Sequence, residues 1–175
     1  MLEFPKFTAR LTLRSLYLER YDAELREIVG WLNDPVVVRF SEQRHKRHTI
    51  ETQTVYRDCF VPPNLYIGVH RESCLIGTVT VLIDEPNSVA NVGIMMGDKS
   101  KWGKGYGLEA WMGVCDKLFN CGVRKIEAGC MAINYRMMAI CQHYGMVEEG
   151  RQDKHFVMDD QYIDLVHWGK FYETS

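Results

Sequence analysis

Apolar and polar positions change rhythm along this chain, and each change marks an element. From Thr8 to Leu16 they alternate, with Leu11 and Leu13 on one side, which predicts a strand. Between Ala23 and Leu32, the residues Leu25, Ile28, Val29 and Leu32 recur at helical spacing. Asn33-Asp34-Pro35 ends that helix, because proline bars helical geometry from the residue before it. Thr49 to Phe60 predicts a second helix, closed by Pro62-Pro63. Leu65 to Val69 and Leu75 to Ile83 are β-rich runs separated by Arg71-Glu72-Ser73, the pattern of a hairpin. Val89 to Met96 is a further strand. Leu108, Trp111, Met112, Cys115, Leu118 and Phe119 make one apolar face of a third helix, stopped by Cys121-Gly122. Arg124 to Met131 reads as a strand, and Asn134 can cap a short helix that reaches His143 and breaks at Gly145. Val147 to Met158 and Tyr162 to Trp168 are the last strands.

The order β-α-α-β-β-β-α-β-α-β-β predicts an α/β (α+β) fold in one domain over residues 1–175. Its centre is a mixed, mainly antiparallel sheet of about seven strands flanked by about four helices. The length of 175 residues suits one domain, and 46% hydrophobic residues supply a sizeable core. A formal net charge of -2 gives no general drive towards nucleic acid or an anionic membrane. The six cysteines form no CxxC pair and no zinc-type spacing, so no metal is expected; several lie on apolar stripes as free thiols. With no signal-type leader and no membrane-length apolar run, the expected location is cytoplasmic.

Chemistry enters at Lys101-Trp102-Gly103-Lys104-Gly105-Tyr106-Gly107-Leu108-Glu109-Ala110, where three alternating glycines run straight into a helix. Glycine accepts positive φ and leaves nothing to block a ligand, while a helix start offers unpaired N–H groups and a positive dipole end. Together these predict an anion cradle for a phosphate or diphosphate. The nucleoside-triphosphate pattern GxxxxGK[ST] is absent, and the spacing GxGxG departs from the dinucleotide pattern GxGxxG.

Trp102 through Gly107, with Glu109-Ala110 after it, resembles the cofactor loop of the GCN5-related N-acetyltransferase (GNAT) superfamily and of its RimJ/RimL-like branch. Asn134 through Gly145-Met146 matches a second signature of that family, an Asn opening a helix that ends in Gly plus an apolar residue. The resemblance covers nearly the whole chain and implies the GNAT fold, acetyl-coenzyme A as co-substrate and an amine as acceptor. It implies that the N–H groups of Trp102, Gly103, Lys104, Gly105, Tyr106 and Gly107 hold the diphosphate. Met95, Met96 and Gly97 would pair with the pantetheine arm, the Met95 N–H would face the developing oxyanion, and Asn134 would touch the pantetheine. The family's usual acid and base positions are not matched. Cys141 stands where many relatives carry Tyr, Met137 where Ser is common, Asn91 and Gly129 where Glu occurs.

Candidates for the acceptor side follow from local chemistry. Asp34 could face a cationic amine. In the loop Ser41-Glu42-Gln43-Arg44-His45-Lys46-Arg47-His48, Arg44 and Arg47 could grip a phosphate and Glu42 could take the amine proton. Alternation over 151–155 would put Arg151, Asp153 and His155 on one face, with His155 able to titrate near neutrality; Tyr144 could line the groove. These choices favour a small-molecule primary amine, with a nucleotide-linked amino sugar as one form of it. A protein N-terminal acetyltransferase and a non-catalytic coenzyme A module are the alternatives, and a homodimer is compatible with the sequence.

Overall fold

The computed structural model describes residues 6–16 and 22–172. Its strands are β1 (Lys6–Phe7), β2 (Thr12–Ser15), β3 (Leu65–Arg71), β4 (Cys74–Asp84), β5 (Val89–Met96), β6 (Lys125–Met131), β7 (Val147–Met158) and β8 (Gln161–Phe171). Its α-helices are α1 (Asp22–Leu32), α2 (Ile50–Asp58), α3 (Tyr106–Asn120) and α4 (Tyr135–His143), with single 3-10 turns at Glu42–His45 and Lys99–Lys101. The strands form one sheet in the order β1-β2-β3-β4-β5-β6-β8-β7.

The sheet has eight strands where about seven were expected, because the first run folds back on itself. The Thr8 N–H donates to the Leu11 carbonyl, and β1 pairs antiparallel with β2. The cause is tertiary: a carboxylate on α3, Glu109, accepts from the Thr8 hydroxyl and from the Arg10 main-chain N–H at the turn. The face of α3 is also wider than its apolar stripe suggested. Gly113 and Val114 are buried, whereas Met112 is exposed.

Every neighbouring pair in the sheet is antiparallel except β5–β6, which a crossover through α3 makes parallel. That ladder is short: Val89, Ala90 and Asn91 pair with Lys125, Ile126 and Glu127. Beyond it the strands part, while β5 stays paired with β4 as far as Met96. The main core packs α3 against the sheet around Trp111, Val79, Val81 and Ile126. A second core joins α1 to β3 through Leu16, Ile28, Leu32, Phe60 and Tyr66. The open gap between β5 and β6 lies between the loop before α3 on one side and α1 and α2 on the other.

Candidate active site

A cavity of about 700 Å³ occupies that gap. One end is walled by Lys101, Trp102, Gly103, Gly105 to Leu108, Asn134, Arg136, Met137 and Ile140. The floor is Thr78, Thr80 and Val92 to Met96, with Gly129 and Cys130 from β6. The other end is walled by Leu32, Val36, Val37, Phe40, Ser41, Gln43, Gln53, Tyr56 and Tyr66.

The glycine end is built to leave main chain exposed. Gly103 and Gly105 sit at φ 73° and 81°, which side chains other than glycine's disfavour, and Gly105 is the N-cap of α3 without a side-chain cap. A Cβ at Gly103 would meet nothing within 4 Å, so that side of the turn is open. Gly107 differs. It lies inside α3, and a Cβ there would make ordinary contact with Met96 Cγ at 3.4 Å and Ile140 Cδ1 at 3.5 Å. The uncapped start of α3 therefore offers donors and a positive dipole end to an anion.

Tertiary contacts hold this loop. The Trp102 indole Nε1 donates to the Met96 carbonyl at 2.7 Å, and the Arg136 guanidinium lies 4.8 Å over the Trp102 ring. From behind, Arg10 donates to the Lys104 carbonyl and to Glu109, and stacks 4.5 Å from the centre of the Tyr106 ring. Burial alone would raise the Glu109 carboxyl. The Thr8 hydroxyl and the Arg10 main and side chain outweigh it and hold the group below its ordinary value. Neither Arg10 nor Arg136 belongs to a recognisable local motif, so sequence reading missed both.

The strand edge corrects one expectation. The Gly97 N–H donates to the Ile76 carbonyl, so 76 and 97 are a hydrogen-bonded pair. In an antiparallel ladder such pairs alternate. With Thr78 opposite Met95 and no register shift, the Met95 N–H faces β4. The main-chain groups that face the gap are those of Ile94 and Met96, and the Met96 carbonyl taking the Trp102 indole agrees with this parity. The Met95 N–H, expected to face a developing oxyanion, is therefore not exposed to the gap. Gly97 is also outside the cavity wall. It is bare because Trp31 of α1 packs against it: a Cβ there would fall 1.8 Å from the indole ring. Asn134 lines the cavity and caps α4, its Oδ1 accepting the Met137 N–H at 3.2 Å.

The proposed acceptor residues lie elsewhere. Asp34 is outside the wall, with Oδ2 paired to Lys99 at 2.5 Å and Oδ1 accepting the Val36 N–H; the Lys99 bond holds its carboxyl below the ordinary value. Glu42 is exposed and pairs with Arg44. Arg44 also donates to the carbonyls of Ser41 and Val157, so it ties the loop to β7, and Arg47 is exposed outside the wall. His155 is exposed, edge-on to Phe156, in a stretch where residues 153–155 oppose Asp164 alone and Lys154 has φ 53°. That bulge breaks the alternation expected for 151–155. Tyr144 is buried behind α4, donating to Asp116 Oδ1 at 2.9 Å, and burial pushes its phenol up. Cys141 is buried too, its thiol pushed up to about 12 by burial.

Among the described residues, the end of the cavity away from the glycine loop is lined by neutral side chains. Gln53, which is 4% exposed, contacts His48 Nδ1 through Nε2 at 3.1 Å, and His48 Nε2 lies 3.1 Å from the Gln43 carbonyl. A carbonyl only accepts, so Nε2 carries hydrogen. Tyr56 and Tyr66 stand beside Phe60, and burial raises both phenols, so both stay protonated. Among the described residues no group of three or more His, Cys, Asp or Glu is placed to hold a metal ion, and no helix is long and apolar enough to cross a membrane.

The sheet splits beside a crossover helix and leaves main chain bare at both the split and the helix start. Residues 10–147 match the family model for the acetyltransferase (GNAT) domain, and the chain belongs to that family. It is an N-acetyltransferase. No curated protein matches the sequence. Among solved structures, it is similar to RimL, a ribosomal L7/L12 α-N-protein acetyltransferase in complex with coenzyme A (TM-score 0.84, 13% identity, covering 97% of this chain and 98% of that one). It is also similar to a chimera of the spermidine N-acetyltransferase SpeG from Vibrio cholerae and hSSAT (TM-score 0.80, 20% identity, 93% and 96%). A third is the microcin C7 self-immunity acetyltransferase MccE in complex with acetyl-CoA and AMP (TM-score 0.79, 17% identity, 94% of each chain).

Proposed function

We propose that this chain transfers the acetyl group of acetyl-coenzyme A to the primary amine of a small molecule. The observation that carries this reading is the cavity itself, which joins the glycine loop to an acceptor end through an unpaired strand edge. The Trp-Gly-Lys-Gly-Tyr run with Glu109-Ala110 supports a place in the RimJ/RimL-like branch, and six free thiols suit a reducing cytoplasm.

Bound acetyl-coenzyme A supplies an activated thioester. The residues present fit it: open main chain at Gly103 and the uncapped helix start at Gly105 suit the diphosphate, and Lys101 and Arg136 add positive charge at the same end. Ile94 and Met96 present N–H groups that can receive charge on a carbonyl oxygen, as fixed donors do in acyl transfer. An alkylammonium has a pKa near ~10 and must lose a proton before it can attack. Among the described residues no carboxylate side chain lines the cavity, and the walls contribute chiefly by orientation. The positions of Arg44 and Arg47 outside the wall remove the phosphate grip that motivated a nucleotide-linked amino sugar.

A thiol-release assay over primary amines tests the reading. Coenzyme A release that depends on the amine is expected; tight acetyl-coenzyme A binding with no release for any amine would sink it.

A further inference from the structure

Resting on that reading, we infer that the acceptor is a monoamine on an aromatic or branched apolar body that carries no second charge. Leu32, Val36, Val37, Phe40 and Tyr56 give the acceptor end its apolar surface, Ser41, Gln43, Gln53 and Tyr66 add neutral polar groups, and among the described residues no charged side chain belongs to it. Charge is available nearby and is tied up outside the wall: Asp34 with Lys99, and Glu42 with Arg44. Gln53, buried in that wall, is a neutral amide, and its Nε2 lies 3.1 Å from Nδ1 of His48.

A second ammonium, a phosphate or a carboxylate entering here would lose water and meet no opposite charge, which is strongly unfavourable. An apolar body loses nothing by the same transfer and gains from leaving water. The lip extends the preference outwards, since Val36 is 55% and Tyr56 38% exposed at the mouth of the cavity. The wall therefore selects against polyamines and sugar phosphates by what it lacks, and for hydrophobic amines by what it offers.

The test is a kcat/KM series on the intact chain with saturating acetyl-coenzyme A. Propylamine, butylamine, pentylamine and hexylamine should rise by roughly threefold to fourfold per methylene. Phenethylamine should exceed putrescine, spermidine and glucosamine 6-phosphate by at least about tenfold. A flat alkyl series, or any of the charged acceptors ranking above hexylamine, overturns the inference while leaving acetyl transfer intact. If no amine is acetylated, calorimetry on the complex with coenzyme A decides the acceptor class separately. Phenethylamine binding at least about tenfold tighter than putrescine sustains it; equal, reversed or undetectable binding overturns it.

Discussion

The two ends of the cavity solve opposite problems with opposite materials. At the glycine end the protein presents main chain and positive charge, and spends side chains on holding that main chain still. Trp102 reaches back to the Met96 carbonyl, and Arg10, at the β1–β2 turn, braces the loop through the Lys104 carbonyl and Glu109 of α3. At the other end the described residues present uncharged side chains, while Asp34 and Glu42 are paired outside the wall with Lys99 and Arg44. A diphosphate is recognised by donors in fixed positions, so backbone geometry has to be exact there to a fraction of an ångström. A hydrophobic body is recognised by area, which tolerates change in any one residue. The first end should therefore fail abruptly under mutation and the second gradually.

The sharpest way to break this contrast is Gly105→Val. A β-branched residue at φ 81° is strained whatever space surrounds it, and the strain falls on the helix start itself. Acetyl-coenzyme A affinity measured by calorimetry should fall by about a hundredfold or more. Circular dichroism should still report the native fold. Phe40→Ala probes the other end. It should lower kcat/KM for the best amine by roughly tenfold and leave acetyl-coenzyme A affinity within about twofold. Equal losses in both quantities would show that the ends are not separate.

Trp102→Phe keeps an aromatic face under Arg136 and removes only the indole N–H. One net hydrogen bond is lost, and cofactor affinity should drop about fivefold. Acidification offers a milder probe of the brace. Because the Glu109 pKa is depressed in the fold, its stabilisation is complete above the unfolded value near ~4.3 and is lost as pH falls through the folded value. Glu109→Gln should lower Tm by about 3 °C at neutral pH, and the difference from the native chain should shrink in acid. A gap that stayed constant down to the acid range would remove Glu109 from the brace. Gly107→Ala should do least. A Cβ there makes only ordinary contacts, so cofactor affinity should change by less than about twofold, in contrast to Gly105 two residues earlier.

The glycine loop was legible because its requirement is local: positive φ at Gly103 and Gly105 is a property of single residues, and a helix start follows from the adjoining sequence. Asn134 was legible for the same reason, as a cap with its own side chain. The direction of an N–H on β5 was not. It depends on which pairs in the β4–β5 ladder are hydrogen-bonded, and a shift of one position moves the gap-facing group from Met95 to Ile94 and Met96. The acceptor candidates were chosen by chemical type, and type does not say where a side chain's partner lies. Asp34 found Lys99, 65 positions away, and Arg44 found the Val157 carbonyl, 113 positions away.

By itself, then, the sequence determined most of the succession of elements, the glycine turn that opens α3 and the capped helix after β6, all written in neighbouring residues. Only the tertiary structure decided that the first strand would bend into a hairpin on Glu109, that Trp31 would fill the space beside Gly97, and that Asp34 and Arg44 would lie outside the cavity wall. The physical reason is range. Backbone conformation and periodicity are fixed within a few residues, whereas register, pairing of charges and the composition of a cavity wall are set by segments that meet only when the sheet is assembled.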